Sequence, residues 1–283
     1  MQTLEIEKPL VAVDWLVKHI DHPDLIILDA TIPKKIDNSQ TKDKSLGIKN
    51  AMFFDIKKTF SNTDSAVPNM LPIPENFEKE VRAMGISKHH KIVVYDRLGI
   101  YSSARVWWMF MIMGHKDIAV LDGGLPEWKK AGFLVEKIRK DQKHEYGNFE
   151  SIFRPELLIN ASDVLKKIND TTNTLILDAR SPDRFFARVS EPREGLRGGH
   201  IPQSMNLHYE LLLDQGRMCS VPKLMNTLEN YPLDGKKLIF TCGSGITACI
   251  LMLATSLCGY QNVAIYDGSW SEWGQLEGVP IES

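Results

Sequence analysis

The stretch Leu238-Ile239-Phe240-Thr241-Cys242-Gly243-Ser244-Gly245-Ile246-Thr247-Ala248 sets the architecture. An apolar run of strand length ends at a cysteine, two glycines follow within three residues, and a second apolar run extends from Ala248 to Leu257. The first run suits a strand buried on both faces, and the second has the length of a helix. Strand, tight loop, helix is the repeating step of an α/β layer. It places the Cys242 thiol at the mouth of a loop whose successive N–H groups converge into an anion nest. The helix N-terminus adds partial positive charge at the same point. Both effects favour thiolate over thiol. Cys242 is therefore expected to be a nucleophile rather than a small buried hydrophobe. Gly243, Gly245, Ile246 and Thr247 are expected to line its anion cradle, with Thr247 shaping or capping the entry to the helix.

Outward from this loop, the chain repeats itself. Leu25-Ile26-Ile27-Leu28-Asp29-Ala30 parallels Leu175-Ile176-Leu177-Asp178-Ala179, and Ile92-Val93-Val94-Tyr95-Asp96 parallels Ile239-Phe240-Thr241-Cys242. Ile118 to Trp128 likewise parallels Val263 to Trp273, each pair at an offset of 145 to 150 residues. Helical stretches are expected at 11–20, 75–84 and 104–113 in the first half, and at 161–168, 223–229 and 248–257 in the second. The repeat predicts two tandem α/β domains, each a mainly parallel sheet flanked by helices. Residues 1–137 form the first domain, the charged and poorly periodic 138–157 a linker, and 158–283 the second. Asp96 takes the place of Cys242 in the first half. A carboxylate carries no sulfur, so the first domain is expected to be catalytically silent and to pack against the second as a wall of the cleft.

Composition excludes several classes. Lys+Arg 34 against Asp+Glu 36 leaves a net charge of −2, without the basic excess of a nucleic-acid binder. No apolar run reaches the ~18 residues of a membrane span. The N-terminal residues lack the basic and apolar regions of a signal peptide, and no Arg-rich transit segment is present, so a cytoplasmic location is expected. Cys219, Cys242, Cys249 and Cys258 have no Cys-x-x-Cys or zinc-ligand spacing. They are expected to be reduced, with Cys249 and Cys258 in the core, and neither metal nor organic cofactor is expected.

Two chemistries use a cysteine at this place. In phosphate ester hydrolysis, an arginine six residues on clamps the phosphate; here that position is Ala248, and no basic residue lies between Cys242 and Gly259. In sulfur transfer, the thiolate becomes a persulfide that loop N–H groups stabilise without an arginine in the loop. Cys242-Gly243-Ser244-Gly245-Ile246-Thr247-Ala248 resembles the active loop of the 3-mercaptopyruvate sulfurtransferases, a branch of the rhodanese superfamily. Ile246 stands where the family usually has valine. Asp267-Gly268-Ser269-Trp270-Ser271-Glu272-Trp273 resembles the family's C-terminal signature. Gly199-His200-Ile201-Pro202, the segment from Glu191 to His200, Phe53-Phe54-Asp55-Ile56 and Arg105-Val106-Trp107-Trp108-Met109 resemble further family segments. Leu46 to Ala51 departs from the turn that relatives often carry there.

The resemblance implies sulfur transfer from 3-mercaptopyruvate, through a Cys242 persulfide, to a thiol such as thioredoxin or a small thiol, or to cyanide. It implies that Arg184 and Arg193 bind the substrate carboxylate, a task suited to paired guanidinium groups. Asp183 replaces the glycine that usually precedes Arg184. Ser244 and Asp55 are implied in proton handling, although Asp55 also reads as the cap of the turn that follows it. Thiosulfate-preferring relatives carry basic residues after the cysteine, where this chain has Gly243 and Ser244. A thiosulfate enzyme and a non-catalytic rhodanese-like binding module are the alternatives. His200 is expected to be structural, and the tryptophans 107, 108, 270 and 273 to be packing residues.

Overall fold

A computed structural model describes residues 4–32, 45–138 and 145–283. Residues 139–144 of the expected linker and 1–3 of the N-terminal stretch lie outside the described residues. The chain folds as two compact units. The first comprises residues 1–62, 71–154 and 215–218, and the second 63–70, 155–214 and 219–283. Two short segments thus fold with the unit of the opposite half, an exchange that the sequence repeat does not signal.

In the first unit, β1 (Leu10–Val11), β2 (Leu25–Asp29), β3 (Met52–Phe53), β4 (Lys91–Tyr95) and β5 (Ile118–Leu121) form a parallel sheet in the order β1-β5-β4-β2-β3. Its helices are α1 (Val13–His19), α2 (Pro74–Ala83), α3 (Ser103–Ile112) and α4 (Gly124–Lys130). In the second unit, β6 (Leu158–Ile159), β7 (Thr174–Asp178), β8 (Met205–Asn206), β9 (Lys237–Thr241) and β10 (Val263–Tyr266) repeat that order as β6-β10-β9-β7-β8, again parallel. Here the helices are α5 (Ala161–Lys167), α6 (Pro182–Phe185), α7 (Val221–Leu228), α8 (Ala248–Leu257) and α9 (Ser269–Trp273).

The apolar runs become central strands because both sheet faces are covered. Ile92 to Tyr95 and Leu238 to Thr241 are all buried. Each fully buried Ile, Leu, Val or Phe contributes about 1.5–3 kcal/mol of transfer free energy. The helices that follow these strands, α3 and α8, are apolar on nearly every side and correspondingly buried. By contrast, α2 buries only Phe77 and Val81 and turns charge outward. Short helices α4, α6 and α9 were not expected; Gly, Pro and Ser dominate their starts and mask the helical period.

Part of the expected linker runs along the first unit. The Gly147 and Phe149 N–H groups donate to Arg82 and Ile86 carbonyls (2.8 and 3.3 Å), and those of Ile152 and Arg154 to Met113 and Ile112 (2.9 and 2.8 Å). Phe149 sits edge-on to Phe77 and Phe110. The Leu46–Gly47 strand, in the segment that departs from the family turn, pairs antiparallel with Glu136–Lys137.

Candidate active site

Cys242 follows the C-terminal end of β9, where parallel strands deliver their loops, and is buried. Its N–H donates to Ser269 Oγ (3.2 Å), which lies 4.0 Å from Cys242 Sγ and donates to the Tyr266 carbonyl (2.8 Å). The Cys242 carbonyl accepts from Trp270 N–H (2.9 Å). The Gly243 carbonyl accepts from both the N–H (2.9 Å) and the hydroxyl (2.5 Å) of Ser271. The first turn of α9 therefore clamps the start of the cysteine loop.

The two loop glycines serve different purposes. Gly245 has φ +74°, the left-handed region that L side chains disfavour. Gly243 supplies room instead: a Cβ there would lie 2.9 Å from Arg184 Nη2. Arg184, on α6, thus reaches directly over the loop. Its guanidinium is held by Glu191 through Nε (3.2 Å) and Nη2 (2.5 Å). Glu191 also accepts from Arg180 (2.9 Å), which bonds Asp178 (2.7 Å) and stacks on the Trp270 ring at 4.3 Å. Burial pushes the Arg180 pKa down, but Asp178 and Glu191 outweigh it and hold the group above its ordinary value.

Arg193 reaches the loop by another route, donating through Nη1 to Ser271 Oγ (2.5 Å). Ser244 Oγ accepts from Asn69 Nδ2 (3.1 Å), which belongs to the 63–70 segment folded with this unit. Ile246 is buried. Thr247 occupies the N-cap of α8, but its side chain caps no N–H, which corrects the expected capping role. Asp55 lies in the first unit, where its carboxylate accepts from Lys57 and Lys58 N–H (3.1 Å each) and caps its own turn.

Other expectations concern packing. Cys249 is buried in the first turn of α8, its Sγ 3.3 Å from the Gly245 carbonyl, whereas Cys258, expected in the core, is only partly buried at the C-cap of that helix, where burial pushes its thiol pKa up. His200 Nδ1 pairs with the Phe185 carbonyl (3.0 Å), and its ring stacks on Phe185 at 3.8 Å. Trp107, Trp108, Trp270 and Trp273 are all buried. Among the described residues, Asp24, His89 and His90 bring three metal-ligand atoms within 4.8 Å, at the N-terminal ends of β2 and β4. His90 Nδ1 there accepts from Ser87 N–H (3.0 Å).

The corresponding loop of the first unit shows what this backbone does with negative charge. The Asp96 carboxylate, buried at the end of β4, accepts N–H groups from Leu98, Tyr101, Ser102 and Ser103 (2.8–2.9 Å) and the Ser103 hydroxyl (2.8 Å). Burial pushes its pKa up, while these donors pull the other way. Counted from the cysteine, the matching N–H groups in the second unit are those of Ser244, Thr247, Ala248 and Cys249. Among the described residues, the first three meet no protein acceptor, whereas Cys249 N–H turns to the Ile246 carbonyl (3.2 Å).

The model of the rhodanese-like domain family matches residues 12–131 and 160–276, one copy per half. The chain belongs to the rhodanese family. It is 36% identical to the 3-mercaptopyruvate sulfurtransferase of Escherichia coli (strain K12), over 96% of this chain and 97% of that protein. It is also 36% identical to thiosulfate/3-mercaptopyruvate sulfurtransferase 1, mitochondrial, of Arabidopsis thaliana, over 99% and 80%. The crystal structure of E. coli SseA, described as a rhodanese-fold 3-mercaptopyruvate sulfotransferase, superposes with a TM-score of 0.82 at 33% identity, over 94% of this chain and all of that one. The α/β architecture with two rhodanese domains is therefore that of its relatives.

Sequence reasoning missed Ser269, Ser271, Glu191 and Asn69 as parts of this site. The signal for both serines was present. In the paired stretches, Gly124 and Pro126 of the first half stand opposite Ser269 and Ser271. Two hydroxyls appear only in the half that has the cysteine. Asn69 had no such signal, because it arrives from the opposite half of the sequence.

Proposed function

We propose that this rhodanese is a 3-mercaptopyruvate sulfurtransferase working through a Cys242 persulfide. Arg184 and Arg193 hold the donor's carboxylate and ketone. The Cys242 thiolate attacks the donor sulfur, the S–C bond breaks, and its electron pair leaves on pyruvate enolate. The enolate takes up one proton and departs as pyruvate. The persulfide anion takes the place that the Asp96 carboxylate fills in the first unit, facing the N–H groups of Ser244, Thr247 and Ala248. A thiol, reduced thioredoxin or cyanide then accepts the outer sulfur. Two half-reactions sharing one covalent intermediate give ping-pong kinetics.

Ser244 is the proposed proton donor to the enolate. Because Asn69 Nδ2 donates to its oxygen, the Ser244 hydroxyl hydrogen remains available for substrate. Asp55 is the proposed partner in that transfer, and would have to act while capping its own turn. Residues 158–283 carry the chemistry, 1–137 form the silent domain and 138–157 the linker. A cytoplasmic location is supported by four free thiols. Among the described residues, no helix is long and apolar enough to cross a membrane.

The observation that carries this reading is the neutral loop beside the cysteine, with Arg184 supplied from α6 across Gly243. A carboxylate donor needs one such fork, whereas a sulfonate-like dianion calls for charge in the loop itself. Thiosulfate is the second reading, favoured by the dual name of the Arabidopsis relative. Pyruvate release from 3-mercaptopyruvate, run beside thiosulfate with a thiol acceptor, separates them. Turnover of mercaptopyruvate at least ~100-fold more efficient supports the proposal; preference for thiosulfate overturns the donor assignment. Absence of turnover with either donor moves the binding-module reading forward.

A further inference from the structure

The hydrogen-bond chain Arg193–Ser271–Gly243 is not used by the chemistry above, yet it joins a donor-binding guanidinium to the residue after the nucleophile. Ser271 Oγ accepts from Arg193 Nη1 and donates to the Gly243 carbonyl, both at 2.5 Å. The Ser271 N–H also donates to that carbonyl at 2.9 Å. A hydroxyl has one hydrogen and two lone pairs, so the chain has a fixed direction: arginine to serine to carbonyl. Only a hydroxyl-bearing residue serves both ends here. An alanine keeps the backbone clamp on Gly243 and removes the hydroxyl that Arg193 Nη1 meets.

The first unit supplies the contrast. Its equivalent residue, Pro126, has neither an N–H nor a hydroxyl, and the backbone contact one residue earlier is nevertheless the same: Leu125 N–H donates to the Asp96 carbonyl and Trp270 N–H to the Cys242 carbonyl, both at 2.9 Å. The fold therefore closes this turn without a serine. A structural role alone does not account for Ser271.

We infer that Ser271 is a positioning residue, which sets the place of Arg193 relative to the Cys242 loop and so selects a donor whose carboxylate lies several bonds from its sulfur. In 3-mercaptopyruvate, two carbons separate the sulfur from the carboxylate carbon; in thiosulfate, the charged oxygens are on the atom bonded to the transferred sulfur. A guanidinium held at a fixed offset from the nucleophile suits the first geometry. This inference rests on the mercaptopyruvate reading and specifies which residue gauges its donor.

The test is the kinetics of Ser271→Ala, Ser271→Thr, Arg193→Ala and the Arg193/Ser271 double variant with 3-mercaptopyruvate. Ser271→Ala is expected to raise KM about tenfold with kcat within about twofold, the size of one lost charge-assisted hydrogen bond. Threonine, which keeps the hydroxyl, is expected to restore KM. In the Arg193→Ala background, Ser271→Ala is expected to add little, because the two residues act as one unit. An unchanged KM, additive effects, or a loss confined to kcat, which points to the Gly243 carbonyl instead, each overturns the inference. A second measurement separates this from failure of the functional reading: pyruvate binding to Cys242→Ser protein with and without Ser271→Ala. Weaker pyruvate binding in the alanine variant supports the gauge even if wild type turns over no mercaptopyruvate; equal binding overturns it.

Discussion

The loops after β4 and β9 have the same sheet position, the same following helix and opposite contents. In residues 96–103, four backbone N–H groups and a hydroxyl close on the Asp96 carboxylate that the chain itself provides. In residues 242–249, the thiol stands at the carboxylate's position, and the N–H groups of Ser244, Thr247 and Ala248 have no protein acceptor among the described residues. One backbone device thus holds a carboxylate in one unit and, in the proposed mechanism, serves chemistry in the other. The difference that decides the contents is the residue at the head of the loop, Asp96 or Cys242. An anion supplied by the chain satisfies the nest permanently, whereas the proposed persulfide would satisfy it only while sulfur is in transit.

Exchanging the heads of the loops is the most severe way to break this comparison. Cys242→Ser and Cys242→Asp are each expected to lower turnover by at least ~10³-fold, because neither side chain carries sulfur. Only Cys242→Asp is expected to raise the resistance of the second unit to unfolding, since its carboxylate would meet the open N–H groups. Intact-mass measurement after incubation with donor is expected to show one added sulfur atom on wild type and none on either variant. Asp96→Cys is expected to gain no persulfide, because the arginine that follows it, Arg97, is tied to Asp29 (2.8 Å). A persulfide on Asp96→Cys would show that the nest alone suffices and the arginines do not matter.

The turn that clamps each loop gives a smaller and more local contrast. Gly124 and Ser269 both have left-handed backbone, with φ +55° and +50°. A Cβ on Gly124 would come within 2.3 Å of the Asp96 carbonyl and 2.5 Å of the Gly99 carbonyl. The second unit accommodates a side chain at the same place and bonds its hydroxyl to Cys242 N–H. Gly124→Ala is therefore expected to cost about 2–4 kcal/mol in the first unit. Ser269→Ala is expected to cost about 1–2 kcal/mol in the second, by leaving a buried N–H unpaired. Unit-resolved hydrogen exchange is the appropriate readout, because a chain of two units has no single unfolding free energy. Equal losses at the two positions would remove the contrast.

How far the sequence discloses all this differs from element to element. The central strands were legible because burial on both faces leaves uninterrupted runs such as Ile92 to Tyr95 and Leu238 to Thr241. The long helices were legible from length and period, and Cys242 from the change of texture around it. The repeat located Asp96 as its counterpart. The clamp was harder to see, since Ser269 and Ser271 act through short hydrogen bonds that leave no periodicity. Their signal is a difference between two aligned halves, Gly124 and Pro126 against two serines. Asn69 and the 215–218 segment were beyond sequence reasoning altogether, because each folds with the unit of the opposite half. Glu191 is a charged residue in a polar stretch, and nothing in its neighbours announces that it holds two arginines.

The gentlest probe of the comparison is pH, through two histidines of the first unit. His115 is buried against Phe110 and Phe149, and burial pushes its pKa below the ordinary 6.5. His90 is shifted the same way, first by burial and then by the neighbouring His89. The unfolded chain therefore takes up protons near pH 6.5 that the folded unit refuses, so these groups favour folding less as pH falls from 6.5 through their folded values. Asp96 works in the opposite sense: burial raises its folded pKa above the ordinary 3.8, so its contribution declines as pH rises from 3.8 through its folded value. Between pH 7.5 and 5.5 the histidines and Asp96 act in opposite senses, and His115→Leu isolates the histidine part. Hydrogen exchange in β2 and β4 is expected to quicken over that interval, and His115→Leu to flatten the trend. If β7 and β9 lose protection in step with β2 and β4, and His115→Leu changes neither, the acid sensitivity belongs to the whole chain rather than to the unit whose nest is permanently filled.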